Sequence, residues 1–215
     1  MRLPSHPVDI PFAMAESDSG AVLARQLAPT LYLQADETFP LARAVAVVHP
    51  DRPIIGYYLL WQHDVTGRWS PFSKGTDEEE IWVRYDTTHA PTDLWTYWHG
   101  AILHTSWRDK GQVLVDVQWG KHGSLPHGVD LNDLPPLRRM PLFYGMAWVL
   151  PDLWLGRLSS PGPLCFCHDY ERYLDFDRPL RLATRLDVIA RTAHPDSVLT
   201  VVFGDRYARK RPWPF

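Results

Sequence analysis

Short apolar runs, separated by turn-forming residues, dominate the first half of the chain. Six segments have the length and the β-branched or aromatic content of strands, and turns rather than helices join them. They lie within residues 27–37, 44–48, 54–62, 79–85, 94–104 and 112–119. Closely spaced strands of this kind indicate antiparallel sheets packed face to face. The sequence therefore predicts a mainly β fold, an antiparallel, jelly-roll-like β-sandwich with a few peripheral helices.

The pattern also predicts which residues face the core. In the run 112–119, alternation places Val113, Val115 and Val117 on one face, and we expect that face to point inward. Residues 19–27 have the period of a short helix, which Ser17 or Ser19 can cap.

Three later segments give further expectations. Residues 179–193 have the apolar period of an amphipathic helix that would cover one open side of the sandwich, and residues 198–203 predict a final strand. Residues 143–150 are continuously apolar, so periodicity does not separate a buried helix from a buried strand.

Composition limits the class of protein. A chain of 215 residues with 45% hydrophobic content can bury a full core, so we expect one domain over residues 1–215. A net charge of −3 gives no general attraction to nucleic acid, which we do not expect as a partner. The ten tryptophans either fill the space between two sheets or offer flat platforms to ligands such as sugars.

Targeting signals are also informative. The first twenty residues contain no apolar run of signal-peptide length, and no later segment has the length of a membrane span. The sequence therefore predicts a cytoplasmic protein without a transmembrane segment.

The run TDEEEIWVRY carries the strongest chemical signal in the chain. Four consecutive acids, residues 77–80, lead directly into an apolar strand. Alternation puts Asp77 and Glu79 on the same side as Ile81 and Val83, at the mouth of the predicted core. Two carboxylates in that position need a cation, and hard divalent ions bind carboxylate oxygens. The alternative is an acidic loop that ends where the strand starts.

Two histidines are candidates for the same site. His99 and His122 each lie beside a glycine, Gly100 or Gly123, near the predicted end of a strand. Neutral imidazole can bind a metal or act as a general base. Either histidine can equally be a hydrogen-bonded core or surface residue.

Together these residues predict a divalent metal site. Its ligands would be Asp77, Glu79, His99 and His122, its ion would be Mg²⁺, Ca²⁺, Mn²⁺ or Zn²⁺, and His99 and His122 would be the catalytic residues that transfer protons.

Cysteines and catalytic motifs add little. Cys165 and Cys167, followed by His168, provide no disulfide framework, and they are either core thiols or soft-metal ligands. The chain has no G-x-S-x-G elbow, P-loop, dinucleotide-binding glycine pattern or H-E-x-x-H motif. Serine hydrolases, kinases and Rossmann oxidoreductases are therefore disfavoured.

The acidic strand start, the segment TYWHG around His99 and the segment WGKHGS around His122 together resemble the necrosis-inducing-protein superfamily and its vacuolar-sorting-like relatives. The resemblance is remote and covers about residues 28–127. In that family a Gly-His-Arg-His-Asp-Trp-Glu heptad supplies divalent-cation ligands. Asp77 and Glu79 match its Asp-x-Glu part, whereas Lys74 stands where the family has a metal-binding histidine and Glu78 stands where it has tryptophan.

The resemblance implies a β-sandwich fold, and it implies Asp77 and Glu79 as ion ligands. Two classes of function follow from the residues. The first is a divalent-metal-dependent enzyme, most simply a hydrolase. The alternative is a metal-organised module that binds a glycan or a lipid headgroup through tryptophan and tyrosine without catalysis. In both cases the partner is a small molecule or a glycan.

Overall fold

The computed structural model describes residues 10–35, 37, 39–63, 76–129, 134 and 176–215. In chain order the elements are α1 (Ser19–Gln26), β1 (Thr30–Gln34), β2 (Leu41–Val48), β3 (Ile54–Trp61), β4 (Asp77–Tyr85), β5 (Pro91–Trp98), β6 (Ala101–Ser106), β7 (Leu114–Val117), β8 (Ser124–Pro126), β9 (Phe176–Arg181), a 3₁₀ turn (Leu182–Thr184), β10 (Val188–Arg191), α2 (Asp196–Phe203) and a second 3₁₀ turn (Gly204–Arg206).

The strands form two sheets. The larger has the order β10-β2-β3-β4-β5-β6 and the smaller has the order β8-β7-β1-β9. The predicted β-sandwich is confirmed, although each sheet is mixed rather than purely antiparallel, because β10 pairs with β2 and β1 pairs with β7 in parallel. Both parallel pairs join strands that are distant in sequence, as the long connection between parallel strands requires.

The main core lies between the two sheets. Val113, Val115 and Val117 are at most 2% exposed and lie in this core, as alternation predicts. Ile81 and Val83 of β4 reach the same core from the larger sheet. Helix α1 packs there too, and its N-cap is Asp18 rather than Ser17 or Ser19, since the Asp18 side chain accepts a hydrogen bond from the Gly20 backbone N–H at 2.8 Å.

A second core covers the outer face of the larger sheet. It consists of residues from β2, β3, β4 and β10 together with α2 and the C-terminal tail. The Tyr58 hydroxyl and the Trp82 indole N–H both donate to the Pro212 carbonyl oxygen, which holds the tail against the sheet. The outer face of this sheet is therefore largely covered by residues 196–213.

The two C-terminal predictions were wrong. Residues 179–193 form no amphipathic helix; they contribute to β9, a 3₁₀ turn and β10. The period of Leu182, Leu186 and Ile189 matches a helix, yet the three side chains are buried by a strand-turn-strand path instead. The β-branched pair Val188 and Ile189 favours extended backbone, and β10 gains a full register of partners along β2.

Residues 198–203, predicted as a strand, belong to helix α2. Its Val198, Leu199 and Phe203 are buried on one face, and Gly204, with a positive φ of 59°, follows as its C-cap. An apolar run this short does not distinguish a buried helix from a strand, and its packing over the sheet decides the matter.

Some predictions lie outside the described residues. They concern residues 143–150, Cys165, Cys167 and His168. Among the residues that the structure describes, no helix is both long enough and apolar enough to span a bilayer.

Candidate functional site

The acids that open β4 are buried rather than solvated. Glu78, Glu79 and Glu80 are at most 3% exposed. Asp77 pairs with Trp61 and Glu79 with Leu59, two residues of the core between the sheets, so the predicted shared face is confirmed. The pairing of β4 with β5 begins only at Ile81, so residues 77–80 hydrogen-bond to β3 alone at this end of the sheet. The carboxyl groups therefore lie where the sheet opens.

His122 lies directly against these acids. Its Nδ1 is 3.2 Å from Asp77 Oδ2 and its Nε2 is 3.7 Å from Glu37 Oε2. The ring is fully buried and stacks on Trp61, with the ring centroids 4.2 Å apart. Burial by itself lowers the pKa of His122, but the hydrogen bonds and charges of Asp77 and Glu37 outweigh it and raise the pKa. The two carboxylates therefore favour the protonated form of the imidazole.

The pKa values of Asp77 and Glu37, the two carboxyl partners of His122, are shifted downward. Burial alone raises the pKa of Asp77, but the hydrogen bond and charge of His122 outweigh it and lower the pKa to about 2. The pKa of Glu37 is also lowered, because His122 and two backbone N–H donors outweigh burial. Those donors are Phe39 N, at 2.8 Å from Oε1, and Gly120 N, at 2.9 Å from Oε2. Asp77 and Glu37 are therefore anions.

Lys210 supplies the second cation. Its Nζ lies 3.5 Å from Glu79 Oε1 and 4.5 Å from the centroid of the Tyr97 ring. Burial lowers the pKa of Lys210, but the neighbouring acids, Glu79 first, outweigh burial and raise it. Burial raises the pKa of Glu79 well above its usual range and that of Glu80 to about 8, against the opposing charge of Lys210. Glu80 is therefore mainly protonated at neutral pH, whereas Glu79 is the carboxyl group that faces the ammonium group of Lys210.

These groups, Glu37, Asp77, Glu79, Glu80, His122 and Lys210, form what we call the ionic cluster. The basic groups of His122 and Lys210 face the anions Asp77 and Glu37 and the carboxyl group of Glu79, and burial keeps Glu80 mainly neutral, which is how proteins tolerate buried charge. The cation that the acidic strand requires is thus present in the protein's own Lys210 and His122. Within the described ranges, no three histidine, cysteine or acidic side chains are arranged to hold a metal ion. A divalent ion at Asp77 and Glu79 stays a prediction.

His99 has a different environment from His122. Its Nε2 is 2.5 Å from Gln118 Oε1, and burial lowers its pKa to about 4, so the ring is neutral. A side chain at Gly123 would meet His99 Nε2 at 2.9 Å and the Trp98 ring at 2.8 Å, so this close approach requires glycine. The structure brings His122 to Asp77 and places His99 against Gln118, and the proton-transfer role of both stays a prediction.

Sequence reasoning did not assign three members of the cluster to the site: Glu80, which alternation places on the other face of β4, and Glu37 and Lys210, which are distant in sequence. Glu37 precedes β2 and is 85 residues from His122, and Lys210 belongs to a tail whose other basic residues are mostly exposed. The run of buried acids gave the only signal, namely that positive charge had to come from elsewhere in the chain.

A second feature lies on the outer face of the hairpin formed by β5 and the edge strand β6. Trp95 and Tyr97 are half-buried there. His104, opposite Trp95 in the register, stacks on its indole with centroids 4.7 Å apart. Asp93 accepts from His104 at 3.0 Å and from the Thr92 hydroxyl at 2.9 Å. We call Asp93, Trp95, Tyr97, Ile102 and His104 the aromatic strip.

A cavity lies next to the aromatic strip, at the end of the hairpin where β5 turns into β6. The cavity has a volume of about 470 Å³, and its lining includes Tyr97, Gly100 and Ile102 from the hairpin and residues 209–212 from the tail. At the other end of the strip, the Arg84 guanidinium lies 3.9 Å from Asp93 Oδ2. Half-buried aromatic rings therefore lie between polar groups and a cavity on an accessible face.

The described residues thus define a mixed β-sandwich with a buried ionic cluster at one open end of β4 and an aromatic strip on its outer face. No protein-family model matches the chain, and no curated protein matches it.

Solved structures give a remote likeness. NLPPya in complex with glucosamine is 14% identical, with 57% of this chain and 74% of NLPPya covered and a TM-score of 0.41. NLPPya in complex with mannosamine is 15% identical at the same coverage, with a TM-score of 0.39. A structure described as a toxin fold for microbial attack and plant defense is 14% identical over 56% of this chain and 74% of its own, with a TM-score of 0.37. These structures support a remote resemblance, and at this identity and TM-score it assigns no activity or ligand.

Proposed function

We propose that this protein is a glycan-binding module whose ligand lies on the aromatic strip. The observation that carries the proposal is the pair of half-buried rings, Trp95 and Tyr97, on the accessible outer face of an edge hairpin. Aromatic faces are apolar yet rigid, so they bind the flat C–H faces of sugar rings at low cost in conformational entropy.

The surroundings of the two rings suit a sugar. The Asp93 carboxylate, the His104 imidazole and the Arg84 guanidinium offer both acceptors and donors to hydroxyl groups at one end of the strip. The hydrogen bond from His104 and the bond from the Thr92 hydroxyl, together with the nearby charge of Arg84, outweigh burial and lower the pKa of Asp93, so this acceptor is ionised at neutral pH. His104 also backs the Trp95 ring, which fixes the orientation of the platform.

The burial of the ionic cluster supports a binding role more than a catalytic one. The side chains of His122 and Glu79 are 0% and 4% exposed, so a substrate has little access to them. A catalytic group must touch the reacting atoms. The cluster is better suited to fixing the position of β4 and of the tail, next to which the aromatic strip is built.

Titration calorimetry with a panel of neutral mono- and oligosaccharides, glucosamine and mannosamine included, tests the proposal. Trp95→Ala should weaken binding about tenfold or more, because removal of an aromatic anchor costs at least ~1.4 kcal/mol. Trp119→Ala is the matched control, since Trp119 is half-buried beside Phe39 and away from the strip. The proposal is contradicted if the protein binds none of the sugars, or if Trp95→Ala and Trp119→Ala lose the same amount of sugar affinity.

A metal-dependent hydrolase is the second candidate, and one observation favours it. Glu79 Oε2 and Glu80 Oε2 are buried without a hydrogen-bond partner among the described residues. Such atoms are uncommon, and a cation would satisfy carboxylate oxygens. Asp77 and Glu79 would hold the ion, which when bound would polarise an oxygen of the ligand.

Metal binding would have to displace positive charge that is already present. Because burial raises the pKa of Glu79 well above its usual range, an ion bound at Glu79 should compete with the proton there, and its affinity should rise with pH. Calorimetry of metal-stripped protein with Mg²⁺, Ca²⁺, Mn²⁺ and Zn²⁺ in buffers of different ionisation enthalpy measures both effects. No heat with any ion, or binding unchanged in the Asp77→Ala, Glu79→Ala double variant, eliminates this candidate.

A further inference from the structure

The C-terminal tail is fixed to the molecule by contacts of four of its residues, Tyr207, Ala208, Lys210 and Trp213. Ala208 N donates to Glu78 Oε2 at 2.8 Å, and the Trp213 indole N–H donates to the Ala193 carbonyl at 2.9 Å. The Tyr207 hydroxyl donates to Asp196, and Lys210 is inserted between Glu79 and Tyr97. These contacts involve buried or half-buried groups, so they hold the tail backbone in one path.

The same path directs three arginines outward. Arg206, Arg209 and Arg211 are exposed, and none of them has an ion-pair partner within the part of the chain that the structure describes. Arg209 has a φ of 53°, in the left-handed region that residues with a Cβ seldom adopt. A strained residue held by fixed neighbours often marks a site where side-chain direction matters.

These arginines surround cavities. Arg209 lines both the cavity of about 470 Å³ and a neighbouring one of about 630 Å³. In the smaller cavity the charged lining residues are Arg209, Lys210 and Arg211, all basic, in a chain whose net charge is −3. Lys210 is already engaged with Glu79, which leaves Arg209 and Arg211 for a ligand.

We propose that this smaller cavity binds a tetrahedral oxyanion, a sulfate or phosphate ester carried on a glycan. The sugar part rests on the proposed function, because Tyr97 belongs both to the cavity and to the aromatic strip. The anion part rests on the arginines alone. Guanidinium groups bind sulfate and phosphate oxygens through paired, charge-assisted hydrogen bonds, and a fixed backbone reduces the entropy lost on binding.

The test compares four probes by calorimetry with the full chain: a neutral disaccharide, the same disaccharide with one sulfate ester, the same with one phosphate ester, and inorganic sulfate. We expect either ester to bind at least tenfold more tightly than the neutral sugar at low salt, with the advantage reduced at 0.5 M NaCl. A preference for one ester identifies the anion.

Arg209→Gln and Arg211→Gln should each remove most of that advantage and leave the neutral sugar unaffected. Arg108→Gln is the control, since Arg108 is exposed in the turn after the far end of β6 and its substitution changes net charge equally. Two results would overturn the anion site and leave the glycan proposal intact. One is equal affinity for the neutral and the charged sugars, and the other is an equal loss of ester affinity in Arg209→Gln and Arg108→Gln. Binding of inorganic sulfate that depends on Arg209, without sugar binding, supports the anion site and overturns the glycan proposal. No binding of any probe overturns both.

Discussion

The two halves of strand β4 differ in what their burial requires. Residues 77–80 and residues 81–85 both pair with β3, and only the second half pairs with β5 as well. Ile81 and Val83 are buried by neighbouring apolar side chains alone. The acidic half is buried only together with charges from other segments: the loop carrying Glu37, the turn carrying His122 and the tail carrying Lys210.

This difference has a structural consequence. An apolar half-strand tolerates many neighbours of suitable volume, whereas a buried carboxyl needs a specific partner at a specific position. The acidic half therefore ties three distant segments to one end of the sheet. That end is also where the tail passes the aromatic strip, so the cluster and the proposed ligand surface are linked through Lys210.

The largest expected effect comes from moving the acidic pattern two residues along the strand. Ile81→Glu would place a carboxyl group in the apolar core, away from the basic side chains of the ionic cluster. This substitution should lower the free energy of unfolding by about 4 kcal/mol or more, or prevent folding. Ile81→Val is the control and should cost about 1 kcal/mol. Urea denaturation followed by fluorescence measures both; similar losses would show that the two halves of β4 do not differ in this way.

Removal of the cation should have the next largest effect. Lys210→Met keeps the aliphatic length of the side chain but leaves the acidic half without its ammonium group, and should cost about 3 kcal/mol at pH 7. Arg211→Met, one residue away and exposed, should change stability by less than about 0.5 kcal/mol. Equal effects of the two substitutions would mean that Lys210 does not stabilise the buried acids.

The smallest expected effect depends on pH. The pKa of Glu80 is about 8 in the folded protein against an ordinary value of 4.5. Between these pH values the folded state binds more protons than the unfolded state, so the contribution of Glu80 to stability is full below pH 4.5 and is lost as the pH rises toward 8. Glu80→Gln mimics the protonated form and should match the wild type at pH 4 but exceed it in stability by about 2 kcal/mol at pH 6.

The control for this prediction is Glu16→Gln, which makes the same substitution at a glutamate that is highly exposed. Its stability should follow the wild type across the whole pH range. A Glu80→Gln variant that is less stable than the wild type at pH 8 would show that Glu80 is ionised in the folded protein.

The sequence predicted the parts of this molecule that depend on local pattern. Alternation in β4 placed Asp77 and Glu79 on the inner face, and alternation before Trp119 placed Val113, Val115 and Val117 in the core. The sandwich and the position of α1 followed from the same kind of signal.

The parts that it did not predict depend on distant contacts. Leu182, Leu186 and Ile189 match a helical period, but the pairing of β10 with β2 makes this segment extended. The partnership of Glu37 with His122 and the insertion of Lys210 beside Glu79 arise from topology, which no local pattern in one sequence contains. His99 and His122 look alike in sequence, each beside a glycine, yet burial lowers the pKa of His99 while neighbouring acids raise the pKa of His122.

The most direct test of glycan binding on the aromatic strip is a sugar titration followed by the indole N–H signals of the ten tryptophans in ¹H–¹⁵N NMR spectra, assigned by single substitutions. The account predicts that the Trp95 signal shifts most, in step with the affinity measured by calorimetry, and that the buried Trp61 beside His122 shifts little. Shifts at Trp61 or Trp119 with Trp95 unmoved would place the ligand at the ionic cluster and contradict the account.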